Sequence, residues 1–434
     1  MRKFKLNDRN QLFLLPPNIN DWLPQQHPAR FIIETIESLD LSDFYKAYAS
    51  KVGQPPYDPE MLLALLIYAY TTGLLSSRRI EQATWSDVAF RFIAANLHPD
   101  HDTIANFRNK HAAAITAVFS QVVQIAIRAK IVRLGHVSID GTKIKANASR
   151  EKRRTKDELE RELEGIQKQF GDLLKAAEAT DRKEDDEHGP DDNGYNLPST
   201  LKSKEQRTKV IREAIEELKK QEEQDRETDP DGAKRRAWEA KAGKPYQQKV
   251  NTTDFDSRIM LFRNNVYDQG YNTQIVVDDD HGIIVASDVS QDSGDKQALM
   301  PMLLQVQSNT GWLPDNVSAD AGYFNEAQMT DPRFKSVEFY VKPRKKAVTG
   351  KLPKKTNYSD FMRDRMEEPL GRSLYKLRMT LVEPAFGAIK QARGFRQFLL
   401  RGMTGVRCEW ALICIGHNLK KMFKLNPSLI ALLS

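Results

Sequence analysis

Cysteine is nearly absent from this chain: Cys408 and Cys414 are the two in 434 residues. A disulfide framework is therefore excluded, and the low count fits a reducing compartment. Zinc chemistry has little to work with either. The eight histidines and two cysteines form no cluster at zinc-ligand spacing, and "HPDH" at 98–101 reads as a loop. Long apolar runs are missing too. The longest, "MLLALLIYAY" at 61–70, is about half of the ~20 residues a membrane span needs. The apolar run in "MRKFKLNDRNQLFLLPP" is too short for a signal peptide. These shortages lead us to expect a soluble, cytoplasmic protein with no membrane partner.

What is present is a chain long enough for two or three domains, 40% hydrophobic and 29% charged. The net charge of +7 is unevenly spread. Residues 331–434 hold 22 Lys and Arg against 8 Asp and Glu, so this quarter carries +14 and the first 330 residues carry −7. A basic C-terminal quarter points to a polyanion, most simply nucleic acid. A solvated basic face explains the charge alone equally well.

Residues 1–130 read as helical. "DPEMLLALLIYAYTTGLL" opens on the helix-start pair Asp58-Pro59 and carries a broad apolar face. "SSRRIEQATWSDVAFRFIAAN" follows with a capping Ser and Ile80, Ala83, Val88 and Phe92 at helical spacing. "HDTIANFRNKHAAAITAVFSQVVQIAIRAK" starts at Asp102 or Thr103 and runs long. Three helices with short turns are compatible with a helix-turn-helix unit that turns Thr103, Asn106, Arg108 and Asn109 to a DNA groove, and equally with a plain bundle.

Residues 151–245 change character. Leu159, Leu163, Ile166, Phe170 and Leu173 alternate at spacings of four and three, which is a heptad seam, and Ile211, Ile215 and Leu218 offer a second. The polar stretch "TDRKEDDEHGPDDNGYNLPST" separates them. An antiparallel helical hairpin with a mobile acidic tip, inserted into another domain, is the economical reading.

Before and after this insertion, at 131–150 and 246–434, strands and helices alternate. "GHVSID" is a strand. "GYNTQIVVDD" and "GIIVASDVS" form a hairpin through "DDHG". "DKQALMPMLLQVQSNTG" is a helix, "NVSADAGY" a strand, "NEAQMTDPRF" a brief helix, "VEFYVKP" a strand, and "GRSLYKLRMTLVEPAFGAIKQARGF" a helix. A hairpin followed by βαβ units gives an α/β fold, a mixed sheet with flanking helices.

Two of these strands end on an acid with a glycine close behind: Asp140 in "SIDGTKIKANAS" and Asp320 in "VSADAGYFN". Asp-Gly is a common turn pair, so each is ordinary in isolation. With the first strand central and the fourth beside it, both acids emerge at one edge. Adjacent carboxylates repel and raise each other's pKa unless a cation sits between them. A third acid from a helix would complete an oxygen-rich site for Mg²⁺ or Mn²⁺, and Glu383 is the candidate. Asp254, Asp256, Asp288 and Asp295 read as caps and loop residues.

"SIDGT", "SADAGY" and "YKLRMTLVEPAFGAIK" together resemble the three acidic motifs of the DDE transposases of bacterial insertion sequences. "NTTDFDSRIM" and "QGYNTQ" are similar to further segments of that family. The resemblance implies a ribonuclease H-like catalytic core, an N-terminal helical DNA-binding region, and Mg²⁺, with Mn²⁺ as a substitute. It matches Asp140, Asp320 and Glu383 to the catalytic, metal-holding triad. Its last motif, Tyr-x2-Arg-x3-Glu-x6-Lys, falls on Tyr375, Arg378, Glu383 and Lys390, with one residue too many between Arg378 and Glu383. Seven residues return nearly to one helix face, which aligns Lys376, Glu383 and Lys390 and leaves Arg378 round the cylinder. Pro384 should kink or restart that helix.

Further DNA contacts are expected from Lys143 and Lys145 and from "VKPRKKAVTGKLPKK" at 341–355, with Lys345, Lys346, Lys354 and Lys355. Tyr375 could stack on an unpaired base near the cut. The implied activity is metal-dependent cleavage of double-stranded DNA at element ends and strand transfer into target DNA. It would proceed in a homodimer or larger assembly, at the nucleoid. A nuclease of the same fold, and a DNA-binding protein derived from a transposase, are the alternatives.

Overall fold

The computed structural model describes residues 18–46, 48, 55–169, 172, 199–228, 233–243, 245–263, 265–343 and 357–432. The chain opens with helices Pro28–Glu37 (α1), Ser42–Lys46 (α2), Pro59–Thr72 (α3), Ser77–Ser86 (α4), Val88–Ile93 (α5), His101–Lys110 (α6) and Ala112–Arg128 (α7). Strand His136–Lys145 (β1) follows, then Arg153–Arg154 (β2) and a helix over 156–169 (α8). Next come Ser199–Thr228 (α9), Ala233–Ala242 (α10), Val250–Asn251 (β3), Arg258–Leu261 (β4) and Tyr267–Asp278 (β5). The remainder runs Ile284–Ser290 (β6), Leu299–Thr310 (α11), Asn316–Ala319 (β7), Glu326–Met329 (α12), Glu338–Val341 (β8), Asn357–Glu367 (α13), Pro369–Gly387 (α14) and Gly402–Leu425 (α15). Residues 1–144 with 272–434 form one compact unit, and residues 145–271 form a second.

In the larger unit the local signals act where the sequence places them, with two exceptions. Asp58 accepts the Glu60 N–H and Pro59 opens α3, which stops at Gly73 in the left-handed region (φ +88°). The stretch expected as one helix from Ser76 to Asn96 is two, because the Asp87 carboxylate accepts the Ala89 and Phe90 N–H groups and starts α5. The long helix expected from Asp102 or Thr103 begins at His101 under an Asp100 cap and divides at His111 into α6 and α7.

The sheet of this unit runs β6, β5 (from Asn272 onward), β1, β7, β8. β5 and β6 form the expected antiparallel hairpin, from Asn272↔Ser290 to Val277↔Ile284. β1 and β7 are parallel, from His136↔Asn316 to Ile139↔Ala319, and β8 continues parallel to β7. Helix α11 packs on β6, and α14 lies against β7 and β8. This mixed α/β architecture agrees with the fold class read from the sequence and is consistent with a ribonuclease H-like transposase fold.

Helix α15 has no counterpart in the sequence reading. It packs against α3, α7 and β6, so the N-terminal helices share a core with the C-terminus. Phe31 meets Phe423 edge-on at 5.7 Å. A Cβ on Gly416 would stand 3.1 Å from the Thr71 backbone, so glycine permits the close crossing of α15 over α3. Burial around α15 includes charge. Glu409 accepts the N–H groups of Leu399 and Leu400, both at 2.9 Å, and the Tyr70 hydroxyl at 3.3 Å. Burial pushes its carboxyl above the ordinary range, while those two N–H groups and the charge of Arg108 pull it back. Arg108 itself is 5% exposed and donates to Tyr70 Oη at 2.9 Å. It therefore faces the core and not a DNA groove, whereas Asn106 and Asn109 on the same helix are exposed and Thr103 is half-buried.

Within the smaller unit the two heptad seams meet. Leu159, Ile211, Ala214, Leu218 and Val250 form its buried cluster, with Leu163, Ile166, Ile215 and Phe255 packed on it. Arg207 and Glu162 close the pair of helices through two bonds of 2.7 and 3.0 Å. β2 pairs antiparallel with β3, and β4 with the start of β5. Phe170, Leu173 and the acidic stretch at 180–198 lie outside the described residues. Among the described residues no single helix is long and apolar enough to cross a membrane.

Candidate functional site

The β1 strand does not end at Asp140; it runs on to Lys145. What ends there is its pairing with β7, whose last register pair is Ile139↔Ala319. The next residue on each of these parallel neighbours is an acid, Asp140 on one and Asp320 on the other. Parallel register is therefore the device that places two carboxylates, 180 positions apart in sequence, side by side.

Asp140 Oδ1 accepts its neighbour's N–H, from Gly141, at 2.8 Å, and Asp320 Oδ1 accepts that of Gly322 at 2.7 Å. The Asp140 side chain is 18% exposed. Burial pushes its carboxyl from 3.8 up to about 6; the Gly141 N–H and the Arg378 guanidinium oppose this, and the charges of Asp320 and Asp295 add to it.

Gly141 is not a turn residue. A Cβ there would stand 2.5 Å from Gln274 Nε2, so glycine makes room for that amide. Gln274 is held from several sides. The Tyr323 hydroxyl donates to its Oε1, the Trp410 indole N–H donates to its backbone carbonyl at 3.2 Å, and its own Nε2 donates to Asp295 Oδ1 at 2.8 Å. Asn272 Nδ2 donates to the same Asp295 oxygen at 2.8 Å. Asp295 does lie on the loop between β6 and α11, but its carboxylate is turned to the acids. A Cβ on Gly322 would be 2.8 Å from Asp320 Oδ1 and 3.5 Å from Asp295 Oδ2. The reading of Asp295 as an ordinary loop residue is therefore incomplete.

Helix α14 contributes Arg378, not Glu383, to this cluster. Arg378 Nη1 donates to Asp140 Oδ2 at 3.2 Å, with 13% of its side chain exposed. Its guanidinium also lies 5.5 Å from the centre of the Tyr375 ring, and the Lys342 ammonium lies 5.0 Å from it. Glu383 is exposed. Five residues separate it from Arg378, about 140° round an α-helix, so a helix that aims one at Asp140 aims the other elsewhere. Pro384 sits inside α14, and a π-helical turn over Ala388–Ala392 follows it. The expected seven-residue alignment of Glu383 with Lys390 does not survive that turn. Lys390 Nζ donates to Thr142 Oγ1 at 2.5 Å and to the Lys143 carbonyl at 3.0 Å, tying this segment to β1. Lys143 is half-buried. Lys145 pairs with Asp268 at 2.9 Å within the smaller unit. Lys345, Lys346, Lys354 and Lys355 lie outside the described residues.

The donors of Asp140 and Asp320 are carboxylate oxygens, which suit Mg²⁺ or Mn²⁺ in kind. Arg378 brings its guanidinium to Asp140, whose carboxyl is raised mainly by burial and further by the charges of Asp320 and Asp295. Asp140 and Asp320 thus fit a hard cation. Glu383 is not brought to them, and among the described residues no group of three or more Asp, Glu, His or Cys side chains is placed so that it could hold a metal ion.

Acids just past the last register pair of two parallel strands, in a mixed sheet with helices packed on it, are consistent with a ribonuclease H-like transposase fold. Residues 17–110 match the family described as a transposase domain (DUF772), and residues 341–423, which include Glu383, match the one described as a transposase DDE domain. The chain thus carries a transposase domain toward each end, and the pair supports a DDE transposase of the insertion-sequence type. No curated protein and no solved structure matches significantly.

Proposed function

We propose that this transposase cleaves double-stranded DNA at the ends of its element and joins the released ends to target DNA, in a site built on Asp140 and Asp320. The observation that carries the reading is the register Ile139↔Ala319, which delivers these two acids together from rigid neighbouring strands. A bound Mg²⁺, or Mn²⁺ in its place, would polarise the scissile phosphate and lower the pKa of a water nucleophile. Asp140 and Asp320 would hold it. Arg378 would meet phosphate charge close to Asp140, with Tyr375 and Lys342 fixing its approach. Lys390 fastens the end of α14 to β1, which keeps Arg378 aimed at the strand edge. Glu383 is the third acid of the family motif, and DNA binding would have to turn α14 to bring it in.

The N-terminal helices and the basic C-terminal quarter, including Lys345, Lys346, Lys354 and Lys355, supply sequence-independent phosphate contacts in this reading. The helical hairpin serves assembly of a dimer or larger complex on DNA. The exposure of Glu383 favours one second reading, a DNA-binding protein derived from a transposase that no longer cuts. Incubating purified protein with labelled end DNA, in Mg²⁺ and in EDTA, tests both. The proposal expects cleavage and joined product in Mg²⁺ alone. It also expects cleavage to vanish in Asp140→Ala, Asp320→Ala and Glu383→Ala while end binding persists. Cleavage without joining would mean a nuclease, and binding without cleavage would mean the second reading.

A further inference from the structure

We infer that α3 and α4 form a helix-turn-helix unit whose second helix, α4, enters the major groove of element-end DNA and reads base edges with Arg78, Arg79 and Gln82. This rests on the function proposed above and adds sequence reading to the phosphate contacts assigned there. Three observations converge on it. First, the geometry fits. Helices α3 and α4 meet at 98° across a four-residue turn, Gly73 to Ser76. Two helices at roughly 90–120°, joined by a short turn that contains glycine, are the frame that presents its second helix to a major groove. The turn needs its glycine: Gly73 has φ +88°, and a Cβ there would stand 3.1 Å from the Arg393 carbonyl oxygen. Helices α5 and α6 brace the pair, packing on both α3 and α4.

Second, the outward face of α4 has the chemistry of a groove reader. Its exposed residues are Arg78, Arg79, Gln82, Trp85 and Ser86, while Ile80 and Thr84 face the core. That face holds two cations and no acid. Glu81, to one side, is taken up by the His101 backbone N–H at 3.1 Å and ring nitrogen at 2.7 Å, and Asp87 by the N–H groups of Ala89 and Phe90. Arg recognises guanine and Gln recognises adenine through paired hydrogen bonds in the major groove. Arg78 and Gln82 stand about one helical turn apart, roughly 6 Å of rise, which spans about two base-pair steps of roughly 3.4 Å. Helix α6, by contrast, opens on exposed Asp100 and Asp102, which phosphate repels, and buries Arg108.

Third, the face is unfavourable without an anion. Arg78 and Arg79 lie in the first turn of α4, where the helix dipole disfavours cations, and neither has a hydrogen-bond or ion-pair partner among the described residues. Trp85 is 63% exposed yet held in place. Its ring stacks on His98 with 3.4 Å between centroids, and His98 Nδ1 meets Thr84 Oγ1 at 3.3 Å. A duplex answers both features, with phosphates and base acceptors for the arginines and a sugar wall for the indole.

The test uses the full chain in EDTA and duplexes carrying either the DNA that flanks its gene or a scrambled sequence, with affinity read by fluorescence anisotropy. Arg78→Ala and Gln82→Ala, both at exposed positions, should each weaken binding to the end duplex at least roughly tenfold and shrink the preference for it over scrambled DNA, with the melting temperature unmoved. Arg78→Lys keeps the charge and loses the paired contact, so it should restore binding to scrambled DNA and not the preference. End duplex made with 7-deazaguanine, which lacks the N7 acceptor, should bind the parent more weakly and make no difference to the double variant Arg78→Ala, Arg79→Ala. Parent-like preference in both alanine variants overturns the inference. A loss that appears in Asn106→Ala or Asn109→Ala instead makes α6 the reading helix and overturns it as well. Variants that bind DNA as the parent does but no longer self-associate make this face a contact between copies, and the inference falls. If the parent cleaves and joins end DNA in Mg²⁺ while the α4 variants keep its preference, only this inference falls. If the parent shows no preference for end DNA and cleaves none, the proposed function falls with it.

Discussion

Replacing Asp140 with Asn should make the cation-free protein more stable while removing its chemistry. Burial holds the Asp140 carboxyl at about 6, against 3.8 for an ordinary one. A carboxyl raised on folding favours the folded state below its unfolded pKa and loses that advantage as pH climbs through the folded value. The cost of keeping it charged therefore grows between about pH 4 and pH 6 and levels off above. Two pKa units correspond to about 3 kcal/mol at pH 7.5, shrinking to about 1 kcal/mol at pH 4.5. Asn retains the acceptor for the Gly141 N–H but strips Arg378 of its ionic partner, which offsets roughly half of that gain. We expect a net rise of about 1–2 kcal/mol at pH 7.5, or a few degrees in melting temperature. Thermal melts in EDTA at pH 7.5 and 4.5 read it directly. The variant should melt above the parent at the higher pH, and the gap should close at the lower. Added Mn²⁺ should raise the parent's melting temperature and leave the variant's in place. A variant that melts below the parent at pH 7.5, or a gap that ignores pH, would refute the reasoning.

Glu409→Leu should lower stability by about 3–5 kcal/mol, because it leaves the Leu399 and Leu400 N–H groups without their acceptor and the buried Arg108 charge without the opposite charge of Glu409; a melt in which this variant equals the parent would contradict that account. Gly322→Ala forces a Cβ to 2.8 Å from Asp320 Oδ1, so cleavage should fall about a hundredfold while the melting temperature barely moves, and parent-like cleavage would show that Asp320 is not held where the chemistry needs it. Leu218→Ala opens the cluster of the smaller unit and should cost about 2–5 kcal/mol there. Limited proteolysis should then speed up within 145–271, and an unchanged cleavage pattern would count against a core in that unit.

Much of the fold is legible because local signals agree with one another. The β5–β6 hairpin carries alternating apolar residues around "DDHG", and α11 ends where Gly311 adopts a left-handed conformation (φ +96°). Helix α15 is the counterexample. Most of it, from Val406 to Leu419, is buried among α3, α7 and β6. Helical periodicity is detected as contrast between a wet face and a dry one, and a helix enclosed on all sides offers none. Its buried Glu409, His417 and Asn418 read in the sequence as the polar face it does not have.

The site divides along similar lines. Asp140 and Asp320 can be read from the chain because a parallel pair carries distant residues to the same level, and each acid follows a short apolar run. Which helix residue joins them is a question of angle. One extra residue between Arg378 and Glu383, a proline inside α14 and a π-helical turn after it set the phase of that helix, and spacing rules for an ideal α-helix cannot supply it. Asp295 is hidden differently. "SQDSGDKQAL" has the composition of any polar loop, so the informative signal lies elsewhere, in "GYNTQIVVDD". Read as a half-exposed strand, it would turn Asn272 and Gln274 to water. Yet β5 is buried continuously from Gln269 to Asp278, and buried amides need partners. Two amide donors two residues apart on a strand with no wet face call for one strong acceptor opposite them, and a carboxylate is the strongest the chain has.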